Sequence, residues 1–335
     1  QPMYLSTVDN GNLAMHLLVL QSGLLELANV PLAGPRTFAG LRDTWNALRI
    51  DADGTPLPAP LVERIERGLR DGEANVPRTL PAMFAALREL HELAGEAAAA
   101  VQGDAASAWA DALARQCADL LDDVTSCASW LTLSPAPEVL RTFVDAIGIP
   151  CLTNVAAASG HAVAQIHALG DSAGAQAADW IAAFEREVAA SIARVRERID
   201  AIVAIANLAE QIADMDFSIL YDEDKQLFSI GYNATERRLD PSYYDLLASE
   251  ARLASFFAIA HGQVPQDHWY ALGRLLVQTG SGPVLMSWSG SMFEYLMPRL
   301  VTPSYAGSLL DESCSACVRR QIAYARERGV PWGIS

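Results

Sequence analysis

Residues 228–256 read FSIGYNATERRLDPSYYDLLASEARLASF. The first residues alternate like the end of a strand, and Tyr232-Asn233-Ala234-Thr235-Glu236-Arg237-Arg238 reads as a polar loop. Asp240-Pro241 reads as a helix start, because an Asp side chain accepts from the free N–H groups of a first turn and Pro suits that position. From there Tyr243, Leu246, Leu247, Glu250, Leu253, Ala254 and Phe257 recur at three- and four-residue steps. That period predicts a helix over 241–260, stopping at His261-Gly262, with Glu250 on its apolar face. Burying an unpaired carboxylate is costly or forces its pKa upward. Two readings stay open at this point. Glu250 is a desolvated general acid, able to donate a proton to a departing glycosidic oxygen near neutral pH, or it is a structural residue paired with Arg237, Arg238 or Arg252.

The surrounding region is rich in turns and aromatic residues. FSILYDEDKQLFSIGY reads as two short strands joined by the acidic turn Asp222-Glu223-Asp224. TGSGPVLMSWSGS is a further turn leading into a helix from Ser291, and a last helix is expected over roughly 309–328. Ser291-Met292-Phe293-Glu294 has the capping-box spacing, which makes Glu294 a helix cap more than a rival acid. Thr7 or Asp9 in STVDNGNL is expected to cap a helix continuing through Leu20, although Asp9 can also bond a sugar hydroxyl. Tyr232, Asn233, Tyr243, Tyr244, Trp269, Trp288 and Tyr295 supply ring faces and polar tips near Glu250. Such a mixture suits a carbohydrate groove, since sugars present C–H faces for stacking and hydroxyls for polar contacts.

Before residue 215 the texture changes to Ala-rich and helical in period, broken at PLAGP, DADGTPLPAP, SPAPE and LGDSAG. Residues 172–214 read as one long helix or a close pair. Trp180, Phe184, Val188, Ile192, Val195, Ile199 and Ile202 form its packing stripe. No solenoid repeat is visible.

The 335 residues are 51% hydrophobic, enough for a sizeable core in one or two domains. No apolar run approaches the length of a membrane span. The formal net charge is −16, with Lys225 the sole lysine, which disfavours binding to nucleic acid or anionic lipid and leaves neutral substrates open. Five scattered cysteines suit a reducing compartment. Cys314-Ser315-Ala316-Cys317 is a lone CxxC with no second pair, the six histidines show no ligand spacing, and no phosphate loop or GxGxxG occurs. No metal or cofactor is therefore expected. The chain reads as an internal piece of a longer polypeptide.

The segment GYNATERRLDPSYYDLLASEARLASFFAIAHGQVPQDHW, followed by SWSGSMFEYLMP and RERGVPWGIS, resembles the cyclisation region of bacterial cyclic β-1,2-glucan synthases. The opening YLSTVDNGNLA resembles that family too. The resemblance implies an all-α fold: a helical bundle region plus part of an (α/α)6 toroid with a short β-hairpin. Residues 1–29 would hold a helix of the toroid, 30–215 an associated Ala-rich helical region, and 216–335 the N-terminal portion of the cyclisation domain.

The implied reaction is retaining transglycosylation that closes linear β-1,2-glucan into a ring, with Glu250 of the LLASEAR motif as the catalytic acid/base. The implied partners are the β-1,2-glucan chain and the membrane glucosyltransferase and phosphorylase-like domains of the same polypeptide, at the cytoplasmic face of the bacterial inner membrane. Loops at 232–238 and 287–291, with Asn233, Arg237, Arg238, Trp288 and Ser289, would shield the site and hold acceptor hydroxyls. Arg237 and Arg238 can alternatively neutralise Asp240 and Asp245. The family's second carboxylate would follow PWGIS, so this piece alone is expected to be inactive. A linear β-1,2-glucan hydrolase or phosphorylase, and a non-catalytic helical adaptor, are the competing classes.

Overall fold

The computed structural model describes residues 3–51, 57–101, 104–170 and 175–333. The breaks expected within 52–56 and 171–174, and the last two residues of PWGIS, lie outside the described residues. The fold is mostly helical with a few short antiparallel strands, as the sequence predicts. The helices are α1 (Thr7–Leu27), α2 (Pro35–Asp51), α3 (Ala59–Ala74), α4 (Leu80–Ala100), α5 (Asp104–Cys127), α6 (Glu138–Asp145), α7 (Val155–Gly170), α8 (Ala175–Ala213), α9 (Arg252–Ala260), α10 (Asp267–Ala271), α11 (Met292–Leu296) and α12 (Leu309–Arg328). The strands are β1 (Tyr4–Ser6), β2 (Tyr221–Asp222), β3 (Leu227–Ser229), β4 (Gly231–Asn233), β5 (Arg238–Leu239), β6 (Tyr243–Tyr244), β7 (Leu276–Thr279) and β8 (Gly282–Leu285). Among the described residues, no helix is long and apolar enough to cross a membrane.

The chain divides into two compact units, one of residues 25–203 and one of residues 1–24 with 204–335. The first is a helical bundle. Leu61, Ile65 and Leu69 recur every four residues on α3, and Met83, Leu87, Leu90 and Leu93 at three- and four-residue steps on α4, so each helix turns one apolar stripe to a common core with Phe38 and Trp45. The 172–214 stripe belongs to one continuous helix. Trp180, Phe184, Val188, Val195 and Ile202 are buried, and Phe184 meets the rings of Trp130 and Trp180 at 5.3 Å each.

The second unit carries the strands in two three-stranded antiparallel sheets, ordered β1-β4-β5 and β2-β3-β6, and one hairpin, β7-β8. The expected hairpin is present as β2 and β3, with Tyr221 opposite Phe228. The flanks differ from expectation: residues 218–220 form a short 3-10 turn, and LFSIGY breaks at Ile230 into β3 and β4, which join different sheets.

The larger correction concerns 241–251, which is not helical. Asp240 Oδ1 accepts from Ser242 N at 3.0 Å, closing a turn of its own, and Tyr243 and Tyr244 pair with Ser229 and Phe228 as β6. Asp245 and Leu247 are then held extended by Gly273, through Gly273 N to Asp245 O at 2.7 Å and Leu247 N to Gly273 O at 3.1 Å. Cross-strand partners distant in sequence thus override the helical period, and the helix begins only at Arg252. α12 spans the expected residues, with Ser308 Oγ accepting from Asp311 N and Gly329 ending it in the left-handed conformation.

His268 ties this unit together. It is fully buried, with Nδ1 2.8 Å from Gln226 O and Nε2 2.8 Å from Ser255 Oγ. A carbonyl can only accept, so Nδ1 carries the proton and Nε2 accepts from the Ser255 hydroxyl. Burial depresses the imidazole pKa, against the opposing pull of the Gln226 carbonyl. A His whose folded pKa lies below its unfolded value of about 6.5 contributes stability above that value and loses it as pH falls through the folded pKa. His268→Ala is therefore expected to cost about 2–4 kcal/mol at pH 7.5 and to flatten the decline in stability below about pH 6.5. Denaturant unfolding at two pH values checks both; a variant as stable as the parent would remove the claim.

Candidate functional site

Glu250 lies in the turn immediately before α9, not on a helix face. Ala251 N donates to Ser249 Oγ at 3.2 Å, and Leu253 N donates to Glu250 O at 3.1 Å, which shapes this turn into the helix entry. The carboxyl is partly buried, and its Oε2 is shielded from solvent with no hydrogen-bond partner among the described residues. Burial raises its pKa, the charges of Glu294 and Asp9 add to the rise, and the Glu250 backbone N–H and the Arg252 guanidinium oppose it. This combination keeps a carboxyl protonated at higher pH than usual and able to donate.

Two elements bring the neighbouring groups to Glu250. α1 approaches α9 so closely that a Cβ added to Gly11 would sit 2.5 Å from Ala254 Cβ. This contact carries Asp9 to the carboxyl. Asp9 is not the cap of α1: Ser6 Oγ accepts from Asp9 N at 3.3 Å, and the Thr7 hydroxyl instead donates to Ser229 O at 2.6 Å. On the other side, β6 presents Tyr244, whose phenol is pushed up to about 12 by burial and by the charges of Glu250 and Asp9.

Glu294 is the expected cap. The Ser291 side chain accepts from Glu294 N, and the Glu294 carboxylate accepts from Ser291 N at 3.1 Å, completing the box on α11. It also accepts from Trp288 N at 3.0 Å, Ser289 Oγ at 2.5 Å and Ser287 Oγ at 3.1 Å. Although burial raises the Glu294 pKa, these donors outweigh it and hold the group ionised below its usual range. The two carboxyls are thereby driven in opposite directions.

None of the three arginines forms an ion pair with Glu250 among the described residues. Arg238 Nε pairs with Glu236 at 2.7 Å on the surface, not with Asp240 or Asp245. Arg237 is exposed, with a left-handed φ of 52°. Arg252 is buried, and its guanidinium donates to main-chain carbonyls.

The aromatic and polar set is dispersed. Tyr232 is half-buried on β4 against Leu5 and Leu239. Asn233 Oδ1 accepts from Thr235 N and Glu236 N, bracing the loop. The Tyr243 hydroxyl donates to Asp222 at 2.7 Å and accepts from Lys225 at 2.9 Å, so it belongs to the hairpin turn. Tyr295 is a core residue whose hydroxyl donates to Leu285 O, with no exposed face for stacking. Trp288 is 59% exposed, and Ser289 is bound to Glu294. A cavity of about 350 Å³ beside α9, lined by Leu247, Leu253, Phe256, Trp269 and Tyr305 among others, is apolar and does not include Glu250.

Both CxxC thiols are buried within α12, and burial pushes Cys317 up to about 11, so it is a thiol at neutral pH. No group of three or more His, Cys, Asp or Glu side chains among the described residues is arranged to hold a metal.

Fold and site together define a mostly helical protein with a desolvated carboxyl at a helix entry that has no ion-pair partner among the described residues, near a second carboxyl whose pKa its donors lower. No protein-family model matches the chain. Over 337 aligned positions, covering 100% of the chain, it is 34% identical to the cyclic beta-(1,2)-glucan synthase NdvB of Rhizobium meliloti (strain 1021). The chain spans 10% of that protein's length, and it is related from end to end to a segment of a cyclic β-1,2-glucan synthase, the family that its motifs resemble.

Proposed function

We propose that this chain is part of a glycosyltransferase-type enzyme of cyclic β-1,2-glucan synthesis, and that it serves the ring-closing transglycosylation with Glu250 as general acid/base. The observation that carries this reading is the Glu250 carboxyl itself: partly buried, raised in pKa, and with an oxygen, Oε2, that no group among the described residues engages. In the first half-reaction Glu250 donates its proton to the departing glycosidic oxygen. As the glycosidic oxygen leaves, a second carboxyl takes up the anomeric carbon; in the second half-reaction Glu250 takes the proton from the acceptor hydroxyl at the glucan's own non-reducing end while that oxygen displaces the second carboxyl, so the two displacements retain the configuration and close the ring.

Retaining transfer requires a second carboxyl about 5–5.5 Å from the first to stabilise or attack the anomeric carbon. Glu294 is fully engaged by Ser287, Trp288, Ser289 and Ser291 and does not suit that role. Since the chain spans a tenth of its relative, ring closure is proposed for the full-length protein, and the isolated 335 residues are expected to be inactive. α1 and the elements after residue 216 would contribute to an (α/α)6 toroid, with 30–215 as an associated helical region. Trp288, Tyr244, Tyr232, Asn233, Arg237 and Arg238 remain the candidates for contact with sugar. The same reading puts the chain at the cytoplasmic face of the inner membrane, beside glucosyltransferase and phosphorylase-like domains of one polypeptide.

The test is product analysis with linear β-1,2-glucan. The full-length protein is expected to yield rings, and the isolated chain none. Shorter linear sugars, or glucose 1-phosphate formed with added phosphate, would replace this reading with a hydrolase or a phosphorylase.

A further inference from the structure

Arg252 is 6% exposed, and its guanidinium makes no salt bridge among the described residues. It is spent on three main-chain carbonyls: Nη1 donates to Ser249 O and to Glu294 O, and Nη2 donates to Tyr295 O, each at 2.8 Å. Ser249 precedes Glu250. Glu294 and Tyr295 are the third and fourth residues of the five-residue α11, which runs on into a 3-10 turn at Met297–Leu300, and Tyr295 O also accepts from the Cys314 thiol at 3.2 Å. The same short helix is held at its start by the Ser291–Glu294 box, and the Glu294 carboxylate gathers the backbone of 288, 289 and 291. A single side chain therefore joins the turn bearing Glu250 to the helix that organises the 287–291 loop.

We infer that Arg252 is a positioning residue for the Glu250 carboxyl: its fork fixes the Ser249–Glu250 turn against α11 and supplies a fixed positive charge beside the acid. The inference rests on the acid/base role proposed for Glu250. A planar fork reaches three carbonyls on two elements at once, whereas a lysine presents one nitrogen on a flexible stem. The groups facing Glu250 are Arg252 on α9, Glu294 on α11, Asp9 on α1 and Tyr244 on β6; Cys314 of α12 and Arg299 face Arg252. Of the charged groups around Glu250, Arg252 is the one that favours its ionised form, so removing it leaves the acidic neighbours unopposed.

The experiment follows ring closure against pH in the full-length protein carrying this chain, supplied with linear β-1,2-glucan, with native circular dichroism required of each variant. Arg252→Lys keeps the charge and loses the fork. It is expected to lower kcat about tenfold or more, with KM little changed and the basic limb of the profile in place. Arg252→Met is expected to lower kcat and to move that limb upward by about one pH unit, because the acid must stay protonated to donate. If Arg252→Met does not fold, the Lys variant decides by its kcat alone. A Lys variant with parental kcat, or a folded Met variant with an unmoved limb, overturns the positioning role. Glu250→Gln is assayed alongside: rings from that variant would overturn the acid role and this inference with it. An inactive Glu250→Gln beside Arg252 variants that behave like the parent would overturn only the inference.

Discussion

Glu250→Gln in the full-length protein is expected to lower ring closure by at least about a hundredfold while protein-bound linear glucan continues to accumulate. Glutamine keeps the shape of the side chain and lacks the proton, so the loss isolates proton donation from packing. The same substitution predicts a change in stability of opposite sign to that of an ordinary structural Glu. A carboxyl whose folded pKa is raised contributes most below its unfolded value of about 4.3, and that contribution is lost as pH rises through the folded pKa. Above that folded pKa the parent therefore holds a poorly solvated charge that the Gln variant lacks. The variant should melt higher, by on the order of 2 °C, with the difference vanishing near pH 4. Were Glu250 half of a structural ion pair, the variant would melt lower and rings would persist. Glu294 and Glu236 are poor substitutes for Glu250 as acid: the donors around Glu294 lower its pKa, and Glu236 is paired with Arg238.

The parts of this site that were legible in the sequence depend on neighbours within one turn. The Ser291–Glu294 box needs only its three-residue spacing, and α12 needs only a capping Ser and a terminal Gly; both stand where expected. The stripe on α8 is local in the same way. The Asp240-Pro241 signal failed because an Asp that starts a helix and an Asp that closes a turn have the same sequence appearance. What separated them was pairing of Tyr243 and Tyr244 with Ser229 and Phe228, and of residues 245–247 with Gly273, which no local period reports. Glu250 was identified as a carboxyl among inward-facing residues, although its supposed helix face is a turn. The ties of Arg252 to Glu294 and Tyr295 span more than forty residues of chain and carry no sequence signature. One long-range contact did leave a mark, the glycine of STVDNGN, since a residue without a Cβ is where two backbones can touch.

Gly11→Ala is accordingly expected to destabilise the protein by about 2–3 kcal/mol, although alanine is the better helix former by about 1 kcal/mol. The added Cβ would lie 2.5 Å from Ala254 Cβ and 2.8 Å from both Ala254 Cα and N. Backbone atoms cannot rotate aside as a side-chain tip does, so α1 and α9 must separate. Separation has a chemical consequence as well. α1 carries Asp9, whose charge helps to hold the Glu250 pKa up, and its first residue ties to β3 through Thr7 Oγ1 and Ser229 O. Ring closure should fall with stability, and its basic limb should move to lower pH as Asp9 recedes from Glu250. Gly23, on the same helix with nothing within 4 Å of its added Cβ, is the control: Gly23→Ala should be neutral or stabilising by up to about 1 kcal/mol. Urea unfolding of the two variants decides the matter. If Gly11→Ala matched Gly23→Ala, the close approach of α1 to α9 would be wrong, and with it the route by which Asp9 reaches the carboxyl.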